Sequence, residues 1–201
     1  MKKNIFRVLF LLISSFGISS HLEATPTLTA ATEFNNAKPL EKFSLIDTNG
    51  SPFSQASLLN QWTLVFFGYT TCLDVCPRTL TTVSNTWKLL PPTLTQHSLR
   101  FVFISLDPKT DTPPKLRAFL ERFNPHFMGL TGSHEVIQTL SKSVGIFSYE
   151  DPNLTKMGTK MIDHSGALLL INPKGQVQAL FSPPHQQEAI AKDLEVLIKN
   201  L

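Results

Sequence analysis

The sequence predicts an α/β domain in which a central mixed, mostly parallel sheet is flanked by helices, with a hairpin near the N-terminus. Residues 64–67, 100–106 and 167–171 are largely apolar runs, which are typical of strands covered on both faces of a sheet. The segments between these runs carry apolar residues at helical spacing, and such alternation predicts parallel pairing through right-handed crossovers. A chain of 201 residues is long enough for one domain with a full core and a short extension.

Residues 1–24 have the features of an export signal or of a short N-terminal membrane anchor. Basic residues precede an apolar stretch at 8–18 and a cleavage-type sequence at 22–24. The apolar stretch is shorter than the roughly 20 residues of a spanning helix, which favours a cleaved signal. Export predicts a periplasmic protein, soluble or attached to the outer face of the inner membrane by its N-terminus. Residues 25–40 are rich in Thr, Ala, Asn and Pro and predict a linker, which leaves 41–201 as the domain.

The charge of the chain argues against one class of partner. The formal net charge is +3, and cleavage after Ala24 would remove three bases and one acid, leaving 15 bases against 14 acids. Because no basic stripe remains, we expect no nucleic-acid partner.

Local signals predict the remaining elements in chain order. Asn49-Gly50 after the strand at 43–46 predicts a hairpin turn, and residues 51–59 predict a second short strand and a small helix. The other expected elements are a helix from Pro77 to the Pro91-Pro92 pair, a helix capped by Thr112, a strand at 127–130, a helix capped by Ser133, a turn at 172–175 before a strand at 176–181, and a final helix through Leu201.

The two cysteines follow the first apolar strand. Cys72 and Cys76 are the only cysteines of the chain, and Pro77 comes directly after them. Proline is favoured in the first turn of a helix, so the sequence predicts a strand, a short loop and a helix whose N-terminus carries both sulfurs. The unpaired N–H groups and partial positive charge of a helix N-terminus favour the thiolate and lower the pKa of a cysteine.

The spacing of the cysteines is consistent with three uses. In an oxidising compartment they could form a structural disulfide, but a bridge over so short a loop constrains the unfolded chain little. They could cycle between dithiol and disulfide, although the spacer is one residue longer than in Cys-x-x-Cys redox proteins. They could also give two thiolates to one metal ion. Structural zinc needs four closed ligands, whereas Cu(I) prefers sulfur and is suited to so small a ligand set.

His164 is a candidate third ligand. It lies just before the apolar run 167–171, where the ends of strands gather functional groups. One imidazole would complete a site of two sulfurs and one nitrogen, and Asp163 beside it could orient the ring. A loop histidine with a structural hydrogen bond is the alternative interpretation, and periodicity alone favours it.

The other polar candidates have structural interpretations that are at least as strong. Asp74, between the cysteines, is either a site residue or a turn former, and Asp107 and Asp111 are more consistent with caps and turns. Met161 is a weak accessory candidate, since methionine more often serves packing. Four histidines beside turns or helix starts are expected at the surface: His97, His126, His134 and His185.

Three segments together resemble one known family. GYTTCLDVCP, SLDPKTDTP and IDHSGALLLINPKG, in this order and at these separations, resemble the Sco/SenC family of membrane-linked copper proteins, which have a thioredoxin-like fold. The resemblance covers about residues 40–201. Thr71, Leu73 and Thr110 stand where the family frequently has His, Pro and Arg. None of these departures removes a ligand, but the flanks of the site are what a partner would touch.

The resemblance implies copper as the cofactor, Cu(I) or Cu(II), with Cys72, Cys76 and His164 as the metal ligands. It implies a metallochaperone rather than an enzyme, which delivers copper to, or matures, the binuclear copper site of cytochrome c oxidase. The implied partner is the copper-bearing subunit of that oxidase or another copper chaperone, and we expect a monomer.

Two other functions use the same sulfurs. As a thiol–disulfide oxidoreductase, the protein would use Cys72 and Cys76 as a catalytic redox pair that reduces the copper-site cysteines of the partner. A peroxidase of the thioredoxin superfamily ranks third. It would need a cysteine activated by neighbouring groups, for which Thr70, Thr71 and Arg78 are available in the sequence.

Overall fold

The computed structural model describes residues 27–150 and 162–199, and for Glu150, Asp163 and His164 it describes the backbone alone. The predicted signal or anchor, Met161 and the end of the final helix at Leu201 lie outside the described residues. The strands are β1 Ala31–Pro39, β2 Ser44–Asp47, β3 Pro52–Ser54, β4 Trp62–Gly68, β5 Leu99–Ser105, β6 Met128–Thr131, β7 Ser148–Glu150, β8 Ile162–His164, β9 Leu168–Ile171 and β10 Gln176–Phe181. The α-helices are α1 Val75–Leu89, α2 Pro113–Glu121, α3 His134–Ser143 and α4 Gln187–Lys199.

Eight strands form one mixed sheet in the order β1-β10-β9-β4-β5-β6-β2-β3. The pairings β4–β5 and β5–β6 are parallel, and the other pairings described in this sheet are antiparallel. The mixed sheet with flanking helices confirms the predicted class, but parallel pairing is confined to its centre. The predicted turns do join antiparallel strands, β2 to β3 and β9 to β10. The antiparallel pairings of β4 with β9, β2 with β6 and β1 with β10 were not predicted, because they join strands that are distant in the sequence. Strands β7 and β8 pair separately as an antiparallel ribbon, which the sequence patterns did not predict.

The core is built around β4, because every residue of this strand is buried. Phe66 of β4 and Phe103 of β5 meet edge to face with ring centroids 5.9 Å apart, a favoured aromatic geometry. The parallel register aligns Gly68 with Ser105, so the C-terminal ends of β4 and β5 lie side by side. The loop that follows β4 therefore starts next to the loop that follows β5, and both reach the candidate site.

The prediction of a linker at 25–40 is wrong for most of that range, since Ala31–Pro39 forms the edge strand β1 and pairs with β10. A buried carboxylate fixes the start of this strand. Asp193 of α4 is 0% exposed, and it accepts the N–H groups of Thr29, Ala30 and Ala31 at 2.6–3.1 Å. The polar composition of this segment is that of an edge strand whose side chains are mostly exposed. The strand is held by backbone pairing and by the Asp193 carboxylate, which is more than 160 residues away in the sequence.

Most local signals were correct. Gly50 adopts a φ of +79° in the turn between β2 and β3, a left-handed conformation that glycine adopts without strain. Ser133 caps α3 by accepting the N–H of Val136 at 3.3 Å, and Thr112 occupies the N-cap of α2 without a side-chain hydrogen bond. Helix α1 begins at Val75, two residues before the predicted start. Among the described helices, none combines the length and apolar character that crossing a bilayer requires.

Candidate metal centre

The two cysteines meet at the N-terminus of α1. Cys72 lies in the loop after β4 and is half-buried, while Cys76 lies in the first turn of α1 and is 0% exposed. The N–H of Cys76 points at Cys72 and donates to its Sγ at 3.4 Å. Neither cysteine forms a disulfide. The predicted arrangement of strand, loop and helix is therefore present, with both sulfurs at one helix end.

The expectation that both thiols have lowered pKa values is wrong for Cys76. A hydrogen bond with the Cys72 side chain, and then burial, raise the pKa of the Cys76 thiol well above its usual range. A backbone hydrogen bond to Tyr69 acts in the opposite direction but does not prevail. The amide of the helix N-terminus is directed at the sulfur of Cys72. Cys72 is also the more exposed sulfur of the pair, whereas Cys76 is buried.

Close packing around the dithiol depends on Gly68, the last residue of β4. A Cβ atom at this position would lie 2.9 Å from Cys76 Sγ and 2.9 Å from the Phe103 ring. These distances are shorter than non-bonded carbon contacts at optimal separation, about 3.5–4.0 Å. Glycine therefore allows the sulfur of the helix to lie directly against the end of the strand.

A buried carboxylate, Asp111, holds the start of the cysteine loop. Asp111 is 0% exposed and accepts three hydrogen bonds: from Thr70 N–H at 3.0 Å, from Thr70 Oγ1 at 2.5 Å and from Ser105 Oγ at 2.7 Å. The turn that we predicted does exist, since the N–H of Asp111 donates to the carbonyl of Asp107 at 2.9 Å. The prediction was incomplete, because the side chain also ties the end of β5 to the loop that carries Cys72.

Tyr69 connects the cysteine loop with β8. Its side chain is 4% exposed, and its hydroxyl accepts the backbone N–H of Ile162 at 3.2 Å. Burial raises the pKa of Tyr69 to about 12, and a hydrogen bond with the Cys72 side chain acts in the same direction. The Tyr69 hydroxyl therefore contacts one candidate ligand, Cys72, and the strand that carries another, His164. Sequence patterns gave Tyr69 no role.

His164 is the last residue of β8, where its backbone pairs with Ser148 of β7. The structure brings β8 to the cysteine loop through Ile162, two residues earlier. The imidazole itself lies outside the described residues, as does the side chain of Asp163, so their roles stay predictions. Among the described side chains, no group of three His, Cys, Asp or Glu residues is arranged for a metal ion.

The flanks of the dithiol are exposed. Asp74 forms an ion pair with Arg78 at 2.8 Å, and their side chains are 69% and 73% exposed. Such a pair contributes little to stability, and it is consistent with a surface turn. Leu73 is 92% exposed and Thr71 is also exposed, so two of the departures from the family pattern lie where a partner could touch them.

The remaining histidines mostly follow the prediction. His97, His126 and His134 are exposed, whereas His185 is half-buried. Its Nε2 lies 2.8 Å from the carbonyl oxygen of Gly166, and burial lowers the pKa of His185. The surface assignment of His185 is therefore wrong, because the loop after β10 packs over the segment that precedes β9.

Comparison with known proteins decides the family. Residues 31–199 match the family model described as SCO1/SenC. The chain belongs to the SCO1/SenC family. Its curated relatives include a SCO2-like protein of Rickettsia prowazekii, which is 30% identical over 210 residues, with 100% of this chain and 98% of the relative covered. The SCO2 protein of Saccharomyces cerevisiae mitochondria is 30% identical over 151 residues, which cover 75% of this chain and 50% of the relative.

Solved structures of the family share the fold. ScoI of Bradyrhizobium japonicum with copper bound is 32% identical, with a TM-score of 0.69 over 78% of this chain and 98% of that one. Yeast Sco1 with copper bound is 25% identical, with a TM-score of 0.73 over 82% of this chain and 90% of that one. The predicted thioredoxin-like fold and the Sco/SenC resemblance are thereby confirmed. The sulfurs of Cys72 and Cys76 fit copper, because two adjacent sulfurs are the soft ligands that Cu(I) prefers.

Proposed function

We propose that this protein is a copper metallochaperone that binds Cu(I) or Cu(II) through Cys72, Cys76 and His164. It acts in the periplasm, where it delivers copper to the binuclear copper site of cytochrome c oxidase or matures that site. The observation that carries the proposal is the pair of reduced sulfurs at the head of α1, joined by the Cys76 N–H bond to Cys72 Sγ at 3.4 Å, in a chain of the SCO1/SenC family. Relatives in that family have been solved with copper bound.

The two sulfurs have different parts in this function. Cys72 is half-buried and can be reached from outside, whereas Cys76 is fully buried. During copper transfer a partner's thiolate would reach Cys72 first, because Cys72 is the more exposed of the two sulfurs. Soft thiolates suffice for Cu(I), whereas Cu(II) favours imidazole nitrogen, so His164 would matter most for the oxidised ion.

Anaerobic copper titration tests the proposal. We expect the reduced wild-type protein to bind one copper ion per chain. We expect His164→Ala to lose most of its Cu(II) affinity and its Cu(II) spectrum while it keeps Cu(I) on two thiolates. His126→Ala, which removes an exposed histidine, is the matched control and should behave as wild type. Reduced wild-type protein that bound no stoichiometric copper would end the proposal.

A second function, thiol–disulfide exchange, is favoured by the unequal exposure of the two sulfurs. The Cys72 thiolate would attack a partner's disulfide and form a mixed disulfide, and one partner thiolate would leave. The Cys76 thiolate would then attack Cys72 Sγ, so that the second partner sulfur leaves. The partner ends as a dithiol and this chain as a Cys72–Cys76 disulfide. Cys76→Ser should trap the mixed disulfide with the partner, and His164→Ala should keep this activity; if no partner is trapped, copper delivery alone remains.

A further inference from the structure

A buried hydrogen bond joins the ribbon of β7 and β8 to the cysteine loop. Its two strands pair with one another and with no strand of the eight-stranded sheet among the residues described. Ile162, at the start of β8, is 6% exposed, and its backbone N–H donates to the hydroxyl of Tyr69 at 3.2 Å. This bond spans 93 residues of sequence and is buried, where losing an N–H acceptor costs more than at the surface.

The same hydroxyl faces the dithiol. A phenol has one proton to donate. Because the Tyr69 oxygen accepts the N–H of Ile162, its own proton remains available for the Cys72 side chain, with which it shares a hydrogen bond. The backbone of the same residue adds a further restraint, since the Tyr69 carbonyl accepts the N–H of Cys72 at 3.3 Å. Tyr69 is thus bonded both to a sulfur-bearing residue and to the strand that ends in His164.

We propose that Tyr69 is a positioning residue that sets β8 at a fixed distance from the cysteine loop and thereby presents His164 to the two sulfurs. This inference rests on the proposed function, because it assumes that His164 is a copper ligand. Ile162 and His164 are two residues apart, about 7 Å along a strand. A restraint at Ile162 therefore controls where the backbone of His164 lies. Groups that orient metal ligands typically change metal affinity by about 10- to 100-fold when they are removed.

Tyr69→Phe is the variant of choice, because it removes the hydroxyl and keeps the buried ring. The chain has two tyrosines, so Tyr149→Phe is a matched control: Tyr149 lies on β7 of the same ribbon and is 64% exposed. We expect Tyr69→Phe to bind Cu(II) about 10- to 100-fold more weakly than wild type, with a spectrum shifted toward that of His164→Ala. Cu(I) stoichiometry should stay at one per chain, and Tyr149→Phe should match wild type.

A double-mutant cycle separates positioning of His164 from an effect on the sulfur. If Tyr69 acts through His164, adding Tyr69→Phe to His164→Ala should cause no further loss of Cu(II) affinity. A second loss of the same size in that background would overturn the inference, as would wild-type Cu(II) affinity in the single variant Tyr69→Phe. Failure of the proposed function looks different: the wild type would then bind no copper, or His164→Ala would bind Cu(II) as well as wild type does.

Amide hydrogen exchange provides a test that does not depend on the variant. In the reduced, copper-free wild type, the amide of Ile162 should exchange slowly, because it is buried and bonded to the phenol. Tyr69→Phe should accelerate exchange at Ile162 and leave the amides of β4 protected. Exchange of the wild-type Ile162 amide at an unprotected rate would show that the bond does not hold β8, and would refute the inference even if Tyr69→Phe fails to fold.

Discussion

Replacing Asp111 by alanine removes the carboxylate that ties the cysteine loop to the end of β5. The three donors that now bond to Asp111 are one backbone N–H and two hydroxyls, on Thr70 and Ser105. The side chain is 0% exposed, so water does not replace the carboxylate without rearrangement. A buried donor without an acceptor costs about 1–3 kcal/mol. Taking the low end for each donor, since hydroxyls can turn to other acceptors, we expect a loss of about 3 kcal/mol in the free energy of unfolding.

Asp111→Asn should cost less. The remaining amide oxygen can take the place of Oδ2, where it accepts Thr70 N–H and Ser105 Oγ. The new NH₂ faces Thr70 Oγ1, which can turn to accept instead of donating. Because bonds to a charged acceptor are roughly twice as strong as neutral ones, we expect a loss of about 1 kcal/mol.

Urea unfolding of the reduced, copper-free protein measures both variants. With the slope of about 1–3 kcal/mol per molar urea that small proteins show, Asp111→Ala should lower the midpoint by about 1–3 M. Asp74→Ala is the matched control, since Asp74 lies in the same loop but is 69% exposed, and it should change stability by less than about 0.5 kcal/mol. If Asp111→Ala costs no more than Asp74→Ala, the hydrogen bonds of Asp111 do not hold this loop.

Three further outcomes follow from other buried groups. Burial lowers the pKa of His185 in the folded state, so the unfolded chain binds a proton at a higher pH than the folded chain does. Stability should therefore fall as the pH drops below about 6.5. Urea titrations at pH 7.5 and 5.5 should show a smaller loss in His185→Gln than in wild type. In Tyr149→Phe, Tyr69 is the remaining tyrosine, and the ultraviolet titration should have its midpoint near pH 12 rather than 10 because of burial. Gly68→Ala should lower stability by about 1–3 kcal/mol through overpacking against Cys76, and an unchanged urea midpoint would contradict the close approach at that strand end.

The parts of the fold that the sequence predicted are those with local causes. The continuous apolar runs became β4, β5 and β9 because both faces of these central strands are buried. The Asn49-Gly50 turn and the Ser133 cap depend on neighbouring atoms, so residue type and spacing were enough. The two sulfurs were placed at a helix N-terminus for the same reason.

The parts that sequence reasoning missed depend on single contacts between distant residues. Asp193 and Ala31 are 162 residues apart, Tyr69 and Ile162 are 93 apart, and Thr70 and Asp111 are 41 apart. A hydrogen bond from one side chain to a remote backbone leaves no periodic signal. The same limit applies to the Cys76 thiol, whose pKa depends on Cys72 and on burial. The helix N-terminus is only one of the groups that surround this sulfur.

Two separate sets of hydrogen bonds, made by Asp111 and by Tyr69, hold the candidate site in place. Asp111 fixes the cysteine loop against the end of β5, in the largely buried parallel pair β4 and β5. Tyr69 fixes the separate ribbon that ends in His164 against that loop. Loss of the Asp111 hydrogen bonds disturbs the side of the cysteine loop that faces the core, so it should mainly lower the free energy of unfolding. Loss of the second leaves the core packed and the sulfurs in place, so it should appear mainly in Cu(II) affinity. If Asp111→Asn and Tyr69→Phe changed stability and Cu(II) affinity in the same proportion, the two restraints would act as one network.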